Sequence, residues 1–174
     1  MAIGMMIPVG DKEYLFKEID RSYSEGVLKL FQASSTFFEL VGGEVPADTE
    51  EFFSELPPGK DYDEKHLIGV FDGEEMVAVI DIVEDYPRDK EWIIGLLVVH
   101  PDYRRQGLGS KIDEVLGKIV KENRGKSLRV GIQVQNEDGL KFWYNCGYEE
   151  KFTSDPIRVG NLESRVVVMT RKLD

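Results

Sequence analysis

Glu91-Trp92-Ile93-Ile94-Gly95-Leu96-Leu97-Val98-Val99-His100-Pro101-Asp102-Tyr103-Arg104-Arg105-Gln106-Gly107-Leu108-Gly109-Ser110 is the stretch around which the other segments of the chain can be arranged. From Trp92 to Val99 it is continuously apolar and rich in β-branched residues, the pattern of a central strand buried on both faces. Pro101 breaks that strand, and two arginines and two glycines then form a tight basic turn. From Leu108 the apolar positions change to helical spacing, through Ile112, Val115, Leu116, Ile119 and Val120. The first-turn amides of a helix have no backbone acceptor, so a strand, a glycine-rich basic turn and a helix in succession make an anion site. Arg104 to Ser110 is therefore expected to hold a phosphate-bearing ligand.

On the N-terminal side of this unit, Lys65–Phe71 and Glu75–Val83 read as two strands joined by an Asp72-Gly73 hairpin turn. Period-2 counting puts Met76, Ala78, Ile80 and Ile82 on one face. Further back, Val27, Leu28, Phe31, Ser34, Ser35, Phe38 and Val41 make one helical stripe that Gly42-Gly43 ends. A strand over Glu13–Ile19 precedes it, and Met1–Asp11 reads as a loose lead-in. The segment between Gly43 and Lys65 is acidic: Glu44, Asp48, Glu50, Glu51, Glu55 and the trio Asp61, Asp63, Glu64 stand against a single Lys60. A short helix fits from Glu50 to Leu56, ended by Pro57-Pro58-Gly59. This segment is either an exposed acidic surface or a wall that selects a basic substrate.

On the C-terminal side, Ser127–Val134 reads as a strand and Asn136 as the start of a short helix carrying Leu140, Phe142, Trp143 and Cys146. Tyr148–Phe152 and Glu163–Arg171 read as strands with a loop over Thr153–Asn161 between them. The sum is a mixed α/β fold, a largely antiparallel sheet flanked by helices, and no repeat or composition break divides residues 1–174 into more than one domain.

At 174 residues the chain is near the size of one domain with a substantial core. A net charge of −11 argues against non-specific nucleic-acid binding and permits attraction of a cationic small molecule. One cysteine, Cys146, excludes an internal disulfide, and with two histidines a structural zinc site is not expected. Met1–Gly10 lacks the basic and apolar regions of a signal peptide, and no apolar run approaches the roughly 20 residues of a membrane helix. A cytoplasmic setting, with no membrane and no metal, is the plain reading.

The glycine turn does not match two familiar phosphate motifs. A dinucleotide fingerprint would require glycine where Ile112 stands, and a Walker A loop would require four residues between its first glycine and a Gly-Lys-Ser/Thr. What fits is Arg/Gln-x-x-Gly-x-Gly/Ala, here Arg104-Arg105-Gln106-Gly107-Leu108-Gly109, preceded by Leu97-Val98-Val99-His100-Pro101. Downstream stand Asn136, Gly139, Trp143 and Gly147-Tyr148. With these paired motifs the sequence resembles the GCN5-related N-acetyltransferase superfamily over Lys65–Tyr148, and over Glu13–Glu64 by the order of elements alone.

The resemblance implies acetyl-CoA as co-substrate and direct attack of an amine on its thioester. It assigns the pyrophosphate to Arg104, Arg105, Gln106, Gly107, Leu108, Gly109 and Ser110, and the pantetheine arm to the backbone of Leu97, Val98 and Val99. Asn136 would reach the arm or the adenylate, or else simply cap its helix. Glu91, at the start of the central strand, is the candidate base, with a solvent-exposed edge residue as the plain alternative. The usual acid is a tyrosine at the position of Trp143. Tryptophan cannot serve as one, so Trp143 becomes a pocket wall, and Tyr144, solvent or another tyrosine must supply the proton. Acceptor pockets in the family often use the first helices, and the acceptor implied is a primary amine of a small molecule or peptide, with cationic character suggested by the acidic segment. Final strands of such folds often form dimers, so Val166–Met169 suits either a homodimer contact or a buried strand. A catalytically inactive acyl-CoA-binding sensor or interaction module is the alternative that the missing tyrosine favours.

Overall fold

The apolar run becomes β5 (Glu91–Val99), an interior strand of an eight-stranded sheet, in a computed structural model that describes residues 3–174. Across the sheet the order is β1 (Gly4–Val9), β2 (Lys12–Glu18), β3 (Lys65–Asp72), β4 (Glu75–Val83), β5, β6 (Ser127–Gln133), β10 (Val166–Lys172) and β7 (Glu149–Thr153). Every neighbouring pair is antiparallel except β5 and β6. That one parallel pair needs a crossover, and α4 (Leu108–Glu122) supplies it. A separate hairpin joins β8 (Ile157–Val159) to β9 (Leu162–Ser164).

Helices cover both faces of the central strands. On one face Ile112, Leu116 and Val120 of α4 pack with Phe16, Ile80 and Leu128. Removing each such side chain from water contributes about 1.5–3 kcal/mol. On the other face α1 (Ser24–Ala33), α2 (Ser35–Gly42) and α3 (Glu50–Ser54) bring Val27, Phe31, Phe38 and Phe52 onto Val79 and Val98. Under α4, Tyr148 donates to Asp113 Oδ1 at 2.7 Å and Arg171 Nη2 to Asp113 Oδ2 at 3.0 Å. This buried triad ties α4 to β10 and to the residue that follows α5 (Glu137–Asn145) and Gly147. Among the described residues no helix is long and apolar enough to cross a membrane.

Several local expectations are corrected. The lead-in over Met1–Asp11 is the edge strand β1 from Gly4, while Met1 and Ala2 lie outside the described residues. The single stripe from Val27 to Val41 is two helices, because the chain turns at Ser34. Met76 faces the α1 side rather than sharing a face with Ala78, because a bulge leaves Val77 without a partner and reverses the alternation. The loop over Thr153–Asn161 contains β8, and the final strand is divided into β9 and β10. Of the two readings of Val166–Met169, the buried strand is the one observed, with β6 on one side and β7 along the other.

Candidate functional site

A short 3-10 turn over Pro101–Tyr103 carries the chain away from β5. It is pinned to the β3–β4 hairpin by Tyr103, whose hydroxyl donates to Asp72 Oδ2 at 2.8 Å. Arg104 then folds back, its Nε donating to Val99 O at 2.8 Å, and Gln106 Nε2 donates to Asp102 O at 3.1 Å. Arg105 (φ 60°) and Gly107 (φ 86°) both adopt the left-handed conformation. Glycine takes it without strain; for Arg105 it is one of the few exceptions among non-glycine residues. The first helical bond of α4 runs from Lys111 N–H to Gly107 O at 3.0 Å. The N–H groups of Leu108, Gly109 and Ser110 therefore have no acceptor within the helix and face the turn. The Leu108 side chain is buried in the core and anchors the helix start. Arg105 has no hydrogen bond or ion pair with the described residues, so its guanidinium is available beside these amides. Open amides, the positive helix end and a free arginine suit a pyrophosphate.

β5 and β6 pair only from Glu91 with Ser127 to Ile94 with Val130. Beyond Ile94 the edge of β5 that faces β6 has no strand partner. The departure coincides with a bulge on the other side of β5: Asp81 pairs with Leu96 and Ile82 with Ile94, leaving Gly95 unpaired. Into this gap opens a cavity of about 370 Å³. Leu96 and Leu97 of β5 line one side, and Ile132 and Gln133 of β6 face them. Asn136 and Trp143 form one end. At the other end are Phe31, Phe38 and Phe52 together with carboxylates.

The roof comes from two distant segments. Asn161 N–H donates to Gly42 O at 2.9 Å, which brings the β8–β9 tip onto the end of α2. Gly160 (φ 60°) lies so close to the Gly42 carbonyl that a Cβ there would collide with backbone. Val159 and Gly160 consequently line the cavity.

The charged lining of the cavity is acidic. Glu44, Asp48, Glu51, Glu55 and Asp81 contribute to it, and among the described residues no lysine, arginine or histidine does. Burial, and then the neighbouring Glu51 carboxylate, push the Glu55 carboxyl above its ordinary range. Asp81 is likewise pushed up by burial, against the pull of Lys65, whose Nζ lies 2.8 Å from Asp81 Oδ2. A single carboxylate in the otherwise apolar run Met76–Val83 was the available sign of Asp81. For Glu51 and Glu55 only the acidic character of their segment was visible.

The structure brings together some of the expected site residues and separates others. Leu97 lines the cavity, Val98 packs beneath the α1 side of the sheet without bordering it, and the Val99 carbonyl is taken by Arg104. Asn136 caps α5, its Oδ1 accepting from Gly139 N–H at 2.9 Å, and it also lines the cavity. Trp143, 8% exposed, is a cavity wall packed edge-on against Phe142 and Tyr148.

Glu91 is not with them. It lies at the far end of β5, where β5 and β6 are still paired, 6% exposed, and its carboxylate is bound by Arg129, with Ser127 Oγ at 3.4 Å. A carboxylate held by an arginine at a closed strand end is a structural ion pair. Tyr144 is 72% exposed and turns away from Trp143, because adjacent helical residues point about 100° apart. Neither borders the cavity. Cys146 is half-buried, and burial raises its thiol above the ordinary value, which suits an inert side chain.

A model of the acetyltransferase (GNAT) family matches residues 27–148. Among solved structures, the chain is similar to the GNAT domain of S. lividans PAT, with a TM-score of 0.74 and 15% identity over 98% of this chain and 97% of that one. It is similar to an acetyltransferase from Thermus thermophilus, with a TM-score of 0.71 and 19% identity over 97% of this chain and all (100%) of that one. It is also similar to a Bacillus subtilis acetyltransferase in complex with CoA, with a TM-score of 0.53 and 13% identity over 64% of this chain and 78% of that one. No curated protein matches the chain by sequence.

Proposed function

From a chain that belongs to the acetyltransferase (GNAT) family, we propose an acetyl-CoA-dependent N-acetyltransferase of the cytoplasm whose acceptor is a positively charged primary amine, on a small molecule or a peptide. The observation that carries this reading is the gap between β5 and β6. It starts beside an acidic, aromatic-lined cavity, and β5 leads from there to the open amides at the start of α4.

Acetyl-CoA, when bound, supplies the acetyl group as a thioester. Leu108, Gly109 and Ser110 amides with Arg105 would bind its phosphates, and the unpaired edge of β5 at Leu97 would hydrogen-bond the arm. Trp143 and Asn136 close one end of the cavity and would limit water near the thioester. A backbone N–H on the free edge of β5 would polarise the thioester oxygen. Glu51 and Glu55 would hold an ammonium group of the acceptor, and Phe31, Phe38 and Phe52 its carbon chain. Glu91 and Tyr144 have no part in this reading, and the departing sulfur is protonated by solvent, since a thiol leaves without much assistance.

The test is calorimetric titration of acetyl-CoA into the purified chain, followed by thiol-release assays with charged and neutral amines. Micromolar binding and faster turnover of charged amines are expected. Binding without turnover on any amine would leave the acyl-CoA-binding module as the better reading, and no binding would remove both.

A further inference from the structure

Asp81 has surroundings that folding alone does not explain. It is the only charged side chain in the run Met76–Val83, and it lines the cavity at the level where β5 and β6 part. Its partner across the sheet is Leu96, next to the unpaired Gly95. A Cβ on Gly95 would lie 3.7 Å from Asp81 Oδ2, so the two residues sit side by side at the floor of the gap. Oδ2 is bound to Lys65 Nζ at 2.8 Å, while Oδ1 is almost out of contact with solvent and has no hydrogen-bond partner among the described residues. The Lys65 side chain is 3% exposed and has no other ion-pair partner among the described residues. A buried pair of this kind contributes little to stability compared with apolar residues of the same size. Asp81 nevertheless lines the cavity with a side chain that is 16% exposed, and an unsatisfied oxygen on such a carboxylate points instead to a proton that is not yet there.

We propose that Asp81 is the proton acceptor in the transfer reaction and that Lys65 is the positioning residue that fixes its carboxylate at the gap. This rests on the acetyl-transfer reading given above. The acceptor enters as an ammonium ion and gives one proton to Asp81, directly or across one water. The freed nitrogen forms a bond to the acetyl carbon as the carbon–sulfur bond breaks, and the sulfur leaves as a thiolate. The nitrogen's surplus proton passes through solvent to that thiolate, and Asp81 returns its own proton to solvent. Nothing else is consumed.

The groups that face Asp81 are Lys65 from β3 and, past the end of α3, Glu55 with Glu51 behind it; β5 offers only Gly95 and Leu96. Burial favours the protonated carboxyl of Asp81 and Lys65 the ionised one, with burial prevailing. The base is therefore stronger than an ordinary aspartate, and the acid limb of kcat should lie above the usual carboxylate range of about 4.

The experiment uses the full chain with acetyl-CoA, a set of amines (propylamine, putrescine and a lysyl peptide amide) and thiol release as the readout. Asp81→Asn should lower kcat by about 100-fold or more while acetyl-CoA affinity, measured by calorimetry, stays within about two-fold. Lys65→Met should move the acid limb of kcat upward by about one pH unit, and Lys65→Arg should return it. If Asp81→Asn alone does not fold, Asp81→Asn combined with Lys65→Met removes both charges together and should show the same loss. Wild-type kcat in either Asp81 variant, or a wild-type profile flat down to about pH 4, overturns the assignment and leaves the acetyl-transfer reading in place. A wild-type chain that binds no acetyl-CoA and releases no thiol overturns both.

Discussion

The two ends of the cleft offer different kinds of groups. At the α4 end the groups offered are mostly backbone: the amides of Leu108, Gly109 and Ser110, and the free edge of β5. At the α1–α3 end they are side chains: Glu51, Glu55, Asp81 and a set of phenylalanines. Backbone recognition constrains only which residues must lack a side chain, so it leaves glycines at fixed spacing. Side-chain recognition can be built from many combinations supplied by distant segments. The supports differ too. The α4 end rests on a buried core and the Tyr148–Asp113–Arg171 triad, whereas the roof at the other end is joined by a few contacts between α2 and the β8–β9 tip.

The strongest way to break this contrast is to block the amides. A Cβ on Gly109 would already lie 3.0 Å from the Phe142 ring, so Gly109→Trp must send its ring over the turn or displace Phe142. Acetyl-CoA affinity should fall by about 100-fold or more, near 3 kcal/mol, with circular dichroism showing that the fold is retained. Unchanged affinity would mean that the turn is not the phosphate site.

Next comes the support beneath that site. Asp113→Ala leaves the buried Tyr148 hydroxyl without its acceptor and Arg171 with only the backbone carbonyl of residue 113, and should cost about 2–3 kcal/mol, or about 5–10 °C in Tm. The pH dependence has a definite sign. Burial holds the Asp113 carboxyl above its ordinary value in the folded chain, only partly offset by Tyr148 and Arg171. In that window the folded chain binds more protons than the unfolded one, so this contribution to stability declines as pH rises from about 4 towards neutral. Relative to Asp113→Asn, wild-type Tm should decline over that range.

At the acceptor end, Glu51→Gln with Glu55→Gln should raise KM for charged amines by about 10-fold and leave acetyl-CoA affinity unaltered. An equal effect on propylamine and putrescine would show that the second charge of the diamine is not read there. The smallest effect sharpens the contrast from the cofactor side: Arg105→Ala should weaken acetyl-CoA binding about three- to ten-fold, and the difference should shrink with added salt because the guanidinium is exposed.

Much of the α4 end could be read in advance. Trp92–Val99, Pro101, Gly107, Gly109 and the helical stripe from Leu108 are contiguous, and strand, break, turn and helix follow from local physics. Asn136 and Trp143 followed from a second local motif. The carboxylate proposed as the proton acceptor did not follow in the same way. Glu91 has the residue type and the strand for a base, yet Arg129, a neighbour only through the β5–β6 pairing, binds it at the closed end. Tyr144 lost its place through one step of helical rotation.

The sequence by itself determined the β5–turn–α4 unit, the Asp72-Gly73 hairpin before it, and the acidic character of the segment before β3, because each depends on residues close together in the chain. Only the tertiary structure decided which carboxylates reach the cleft. That depends on a bulge opposite Asp81, on where β6 leaves β5, and on Gly160 meeting Gly42 from the other half of the chain. These are relations between strands and loops far apart in sequence. A one-residue shift in any of them turns a side chain to the opposite face.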